Sequence, residues 1–264
     1  MASVQLRGGG ALRAGDQGFR IAPAGEGHPS LEDALDARTG RGRCASGGGT
    51  VVKLDPYEHQ VEAYDRWYER NSAAYLSELR ALESLIPRFR RGLEVGVGTG
   101  RFAGPLGVAV GLDPSRSMME VARRRGVLPV RGVAERLPFG DEKFDLVLMV
   151  TVVFLLRDRA AAFREAYRAL IPGGSLVVGF IDRESLLGQR YQAKKEAGDA
   201  SGFYGKARFL GPEEMIDHIE EAGFSDLAFV QTLFSEPESL KSVETPLPGC
   251  GRGSFVVVRG EKPR

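Results

Sequence analysis

The sequence predicts an α/β fold in which a doubly wound, mostly parallel sheet carries helices on both faces. Three observations predict it. Short apolar runs of strand length alternate with amphipathic segments from residue 92 to residue 181, the rhythm of parallel strands joined by crossover helices. A glycine-rich turn at 96–100 follows the first run and opens a helix. The second run ends on an acid, Asp113, so two neighbouring strand tips carry polar groups at the edge where open α/β sheets bind ligands.

In chain order, residues 1–50 differ from the rest: they hold glycine triplets at 8–10 and 47–49, and Phe19 is their one aromatic residue. Such a stretch buries too little apolar area to offset its ordering entropy. It is read as a disordered or spurious extension, with at most a weak helix at 31–37. The remaining residues, 51–264, are read as one domain, in keeping with a length of 264. A helical lid over 55–86 comes first. Tyr57, Val61, Tyr64, Trp67 and Tyr68 recur at three- and four-residue steps after an Asp55-Pro56 start, and a second helix, 73–85, ends before Pro87.

Strands are expected at 92–95, 108–112, 127–131, 144–150 and 176–181, with helices at 102–106, 115–125 and 159–170. Pro172-Gly173-Gly174 is read as the turn into the fifth strand. The segment 182–211, polar but holding Tyr191, Phe203, Tyr204 and Phe209, breaks the rhythm and is read as a cap inserted over an acceptor site. A helix at 212–222 and strands at 227–232 and 254–259, paired antiparallel at the sheet edge, bring the total to seven strands.

A net charge of +1 gives no field to draw nucleic acid, and the arginines at 88, 90, 91 and 123–125 are read as solvated helix ends. Cys44 and Cys250, like His28, His59 and His218, are too scattered for a metal site, so none is expected. The sequence lacks a membrane-spanning apolar run and a leader pattern. A cytoplasmic protein, monomer or homodimer, without nucleic-acid or membrane partners is expected.

The turn reads Glu94-Val95-Gly96-Val97-Gly98-Thr99-Gly100-Arg101. Alternate glycines let backbone pass under a ligand and direct amides toward it. A dinucleotide fingerprint needs a small residue where Arg101 stands, and a P-loop needs Gly-Lys-Ser/Thr, so both fit poorly. Asp113 ends Val110-Gly111-Leu112-Asp113, where a carboxylate accepts from both hydroxyls of a ribose. It could also cap the following helix, whereas Asp158 is read as a helix start.

With Gly132-Val133-Ala134-Glu135-Arg136-Leu137-Pro138-Phe139 and Phe144-Asp145-Leu146-Val147-Leu148-Met149-Val150-Thr151, these four segments resemble the class I S-adenosylmethionine-dependent methyltransferases. Within that group the sequence is similar to the small-molecule branch that includes quinone-biosynthesis enzymes. The resemblance covers residues 57–259 and implies a Rossmann-like fold with S-adenosyl-L-methionine as cofactor. It implies that Glu94, Gly96, Gly98, Thr99 and Gly100 hold the methionine portion and Asp113 the ribose. It further implies that Ala134 and Glu135 line the adenine, that Pro114, Met118 and Leu137 form apolar walls, and that the backbone at Met149 to Thr151 meets the amino group. Val133 stands where many relatives have Asp, so Glu135 or carbonyls would recognise the adenine amino group.

Methyl transfer from a sulfonium needs alignment, worth roughly 7–11 kcal/mol, more than a metal or a covalent intermediate. The aromatic lid would add about 0.5–2 kcal/mol beside the positive sulfur. An amine or thiolate acceptor needs no base before attack, whereas a hydroxyl or an enolisable carbon does. His59, Tyr64 and Arg183, with Glu184 beside it, are the candidates there. The absence of an Asn-Pro-Pro-Tyr segment points to a small-molecule acceptor. The rivals are a non-catalytic S-adenosylmethionine-binding module and an NAD(P)-dependent oxidoreductase.

Overall fold

The computed structural model describes residues 57–197 and 207–264. Two helices, α1 (Val61–Arg70) and α2 (Ser72–Leu85), precede β1 (Gly92–Val95). Then follow α3 (Ala103–Leu106), β2 (Val110–Asp113), α4 (Arg116–Arg124), β3 (Leu128–Arg131), β4 (Phe144–Val150), α5 (Arg159–Ala169) and β5 (Leu170–Ile181). The chain continues through α6 (Leu186–Glu196), α7 (Pro212–Glu221), β6 (Ser225–Thr232), β7 (Leu247–Pro248) and β8 (Phe255–Glu261). The expectations for residues 1–50, and for Phe203 and Tyr204, lie outside the described residues.

The strands form one sheet in the order β3-β2-β1-β4-β5-β8-β6-β7. The first five are parallel, and β8, β6 and β7 pair antiparallel. Strands β1 and β2 are buried along their whole length, because a parallel sheet is covered on both faces and its strands read as continuous apolar runs. One face carries α5 and α7 through Phe163, Ala166, Met215 and Ile219. The other carries α1 to α4 through Tyr68, Leu79, Leu82, Phe102 and Ala122. Full burial of each large apolar side chain contributes roughly 1.5–3 kcal/mol. Strand order reverses between β1 and β4, which opens a crevice beyond the carboxyl ends of β1, β2, β4 and β5, at Val95, Asp113, Val150 and Ile181.

Local chemistry starts the helices. Ser115 Oγ accepts from the Met118 amide, Asp158 from Ala161, and Ser185 from Gly188, each satisfying an amide the helix leaves unbonded. The cap of α4 is therefore Ser115, not Asp113, whose carboxylate is engaged elsewhere. Helix α1 begins at Val61, and Tyr57 to His59 form a turn before it.

Three further expectations are corrected. The sheet has eight strands, because Leu247–Pro248 pairs with β6 inside what reads as a proline- and glycine-containing loop. Strands β6 and β8 do pair antiparallel, yet β8 lies inside, between β5 and β6. Pro172-Gly173-Gly174 does not reverse the chain: Leu170 pairs with Phe144 and Ser175 with Leu146, so these residues bulge out of β5, with Gly173 at φ 77°.

Candidate functional site

Gly96, Gly98 and Gly100 take φ of 77°, 51° and 76°, the left-handed region that penalises a β-carbon. A Cβ on Gly96 would also fall 2.4 Å from Val152 Cγ2, whereas one on Gly98 would meet nothing nearer than Tyr64 Oη at 3.7 Å. Glycine is needed at 96 for conformation and close approach, and at 98 for conformation alone. The amides depart from expectation. Gly96 and Val97 N–H donate to Leu112 O, Gly100 N–H to Val97 O, and Gly98 N–H to Asp113 Oδ2 at 2.9 Å. Four of the turn's amides are thus satisfied within the fold, three of them by β2, as buried backbone requires.

Two carboxylates stand at the strand tips. Asp113, 9% exposed, accepts from Gly98 and, through Oδ1, from Ser115 N–H at 2.8 Å. A carboxylate has about four lone-pair positions, so about two remain. Burial pushes its carboxyl up to about 6, against those two amides and with help from the Glu58 charge. Glu94 is 1% exposed, and among the described residues its Oε2 has no hydrogen-bond partner. Burial raises it far above the usual carboxylate range, opposed by the Ala103 amide.

Met118 on α4 and Ala134 and Leu137 after β3 are buried, and Pro114 after β2 is half-buried, as an apolar wall requires. Glu135 Oε1 accepts from Arg157 N–H, in the segment after β4, at 3.0 Å. Val133 is exposed. Met149 is fully buried within β4. Thr151 has φ 51° and donates its amide to Gly179 O. A β-branched residue in that conformation is strained, and such strain gathers at functional sites.

Helix α1 is tied to the turn. Asp65 accepts from Thr99 Oγ1 at 2.8 Å and from Arg101 Nε at 3.0 Å, and it pairs with Arg125. These partners outweigh its partial burial and hold its carboxyl down at about 2. Arg101, the residue that spoils a dinucleotide fingerprint, lies over Tyr68 and Tyr75. Thr99 thus faces α1. The rings of Tyr57, Tyr64, Tyr68, Tyr75 and Phe102 follow one another edge to face at 5.2–6.3 Å, and Tyr64 and Tyr68 share a hydroxyl hydrogen bond of 2.9 Å. Tyr64 is therefore beside the turn, and burial lifts its phenol far above its ordinary value. His59 is exposed in the turn before α1. Arg183 is paired with Glu184 and Glu214, and lines a cavity of about 390 Å³ with Lys195, Arg208, Phe209 and Leu210. The structure does not bring His59, Tyr64 and Arg183 together as one catalytic group.

Sequence reasoning missed Asp65, Arg125 and Glu78. Glu78 on α2 is 3% exposed, and its Oε2 has no hydrogen-bond partner among the described residues. Burial alone lifts it to about 8. A signal existed: Glu78 shares the inward helix face with Ala74, Ala81 and Leu82, at steps of three and four where only apolar residues are expected.

Among the described residues, no helix is long and apolar enough to cross a membrane. Residues 93–178 match the family described as a methyltransferase domain. A solved structure from Thermotoga maritima, described as an S-adenosylmethionine-dependent methyltransferase and possible histamine N-methyltransferase, is 48% identical. It superposes with a TM-score of 0.75 over 78% of this chain and 97% of its own. An uncharacterized protein of Methanocaldococcus jannaschii is 40% identical over 79% of this chain and its entire length. The demethylmenaquinone methyltransferase of Roseiflexus castenholzii is 35% identical over 54% of this chain and 71% of its own.

Proposed function

The chain belongs to the S-adenosylmethionine-dependent methyltransferases, and from that premise we propose that it methylates a small-molecule acceptor by in-line displacement. The acceptor would enter at the carboxyl ends of β4 and β5, between the α1–α2 pair and the α6 insertion. When bound, S-adenosylmethionine supplies an electrophilic methyl carbon on a sulfonium whose departure leaves a neutral thioether. The residues fit this group. Glu94 Oε2 is buried without a partner among the described residues, a suitable neighbour for a cationic ligand group. Asp113 retains about two acceptor positions, the number a ribose diol fills. Gly98 leaves only van der Waals space toward Tyr64.

In this reading Glu94 and the 96–100 turn hold the amino-acid end, Asp113 the ribose, and Met118, Ala134 and Leu137 the adenine. Glu135 serves to brace the loop after β4. Thr99 acts through Asp65, fixing α1 over the turn, while Tyr57 and Tyr64 exclude water from the crevice. The observation that carries the reading is the pair of buried carboxylates at adjacent strand tips flanking a positive-φ glycine turn.

Calorimetry with S-adenosylhomocysteine and NADH tests it. The former is expected to bind and the latter not, and NADH binding alone overturns the reading. Labelled-methyl transfer to small amines, thiols and phenols then tests catalysis. The Thermotoga protein's description makes amines the first class to try. Tight binding without transfer to any of them would favour the non-catalytic module.

A further inference from the structure

Of the buried acidic and basic residues that the mechanism above leaves unused, Glu78, Asp182 and Lys262, only Glu78 has a side-chain atom without a hydrogen-bond partner among the described residues. Glu78 is 3% exposed, its Oε2 has no hydrogen-bond partner, and it joins no ion pair among the described residues. A carboxyl kept in that condition costs stability unless a ligand completes it.

Its neighbours locate the space it serves. One turn before Glu78, Tyr75 donates its hydroxyl to Arg101 O beside the glycine turn. One turn after it, Leu82 packs against Gly179 near the carboxyl end of β5, where Val150 of β4 meets the same glycine. Tyr75, Glu78 and Leu82 share one face of α2, so Glu78 lies between those contacts, at the carboxyl ends of the parallel strands where the acceptor would enter. Tyr75 meets Tyr68 and Phe102 edge to face, which sets aromatic rings one turn from the acid.

An acid without a counter-ion among aromatic rings is complementary to a cation. The carboxylate supplies the opposite charge, and ring faces attract ammonium groups. A neutral phenol or carbon acid brings no positive charge to draw Glu78 into its ionised form. We propose that Glu78 is the acceptor-binding acid of this site and that the acceptor is a small protonated amine.

The inference rests on the methyl-transfer reading and names its substrate class. Glu78 would also take the proton that blocks the reaction. An ammonium N–H bond breaks, the proton passes to a Glu78 carboxylate oxygen, and the bonding pair remains on nitrogen as the lone pair that methylation consumes. A buried acid titrating near neutrality suits that transfer.

The test uses the full chain saturated with S-adenosylhomocysteine and two matched probe pairs: histamine with imidazole-4-ethanol, and phenethylamine with phenethyl alcohol. At least one amine is expected to bind tenfold or more tightly than its alcohol. Glu78→Gln should remove that preference while leaving S-adenosylhomocysteine affinity within twofold. If neither amine is preferred, or if the preference survives in Glu78→Gln, the inference is overturned and the cofactor reading stands. If S-adenosylhomocysteine itself fails to bind the unsubstituted protein, the cofactor reading falls first. Should Glu78→Gln not fold, as judged by loss of a cooperative melt, the comparison of amine with alcohol in the unsubstituted protein still decides.

Discussion

Asp113 offers the sharpest handle on the cofactor site, because its carboxyl is placed to titrate just below neutrality. With Gly98 and Ser115 each taking one acceptor position, about two remain for ribose hydroxyls. Hydrogen bonds to a charged group contribute about 1.5–3 kcal/mol each, so Asp113→Ala should cost about 3–6 kcal/mol of S-adenosylhomocysteine binding. That is at least a hundredfold in Kd, at about 1.4 kcal/mol per decade. The ionised form is the one that accepts from both hydroxyls. With a carboxyl at about 6, the ionised fraction falls roughly tenfold between pH 7.5 and pH 5, and Kd should rise about tenfold over that span. Isothermal titration at the two pH values, on the unsubstituted protein and on Asp113→Ala, reads both effects, with the variant as the pH-independent control. A variant Kd within threefold of the parent, or a parent affinity flat across the range, would refute the ribose role. Thermal melts run alongside should show the variant less stable, since two amides lose their acceptor.

Asp65→Asn should loosen α1 from the turn. A carboxyl lowered from 3.8 to about 2 contributes about 2 kcal/mol that is fully present above pH 4 and lost as pH falls toward 2. Its Tm should accordingly drop by about 4–8 °C at pH 7, and an unchanged melt would contradict the anchoring role. Gly96→Ala meets both a positive φ and a 2.4 Å clash with Val152, so it should destabilise by about 2–5 kcal/mol in a urea melt, with S-adenosylhomocysteine binding lost. For Glu78 the sign runs the other way. A carboxyl raised from 4.5 to about 8 makes the native state hold its proton longer than the unfolded chain, so stability declines as pH rises through that window. Glu78→Gln should match the parent near pH 4.5 and exceed it by up to about 5 kcal/mol above pH 8; a constant difference would argue against a buried carboxyl there.

The parallel half of the sheet was legible because its signals are local. The strands at 92–95 and 144–150 end where β1 and β4 end, since apolar runs flanked by turns leave little choice. Elements set by long-range pairing were less legible. The two-residue β7 exists only because β6 offers an edge to Leu247–Pro248, and the bulge at Gly173 depends on register with β4. At the site, the positive-φ glycines and the acid at the tip of β2 could be read from spacing. The destination of each hydrogen bond could not: Leu112 O and Asp113, fifteen or so residues away, take the turn's amides. Arg125 reads as one of three solvated arginines, yet it joins Arg101 and Thr99 on Asp65, because α4 returns its end to the turn. Glu78 alone carried an overlooked local sign, an acid on the apolar face of its helix.

A crystal structure of the protein with S-adenosylhomocysteine tests the central claim most directly. The account predicts the adenosyl group across the turn at 96–100, both ribose hydroxyls within hydrogen-bonding distance of Asp113, and the amino-acid end beside Glu94. Nucleoside density seated elsewhere, with Asp113 still bonded to Gly98 and Ser115 alone, would contradict it.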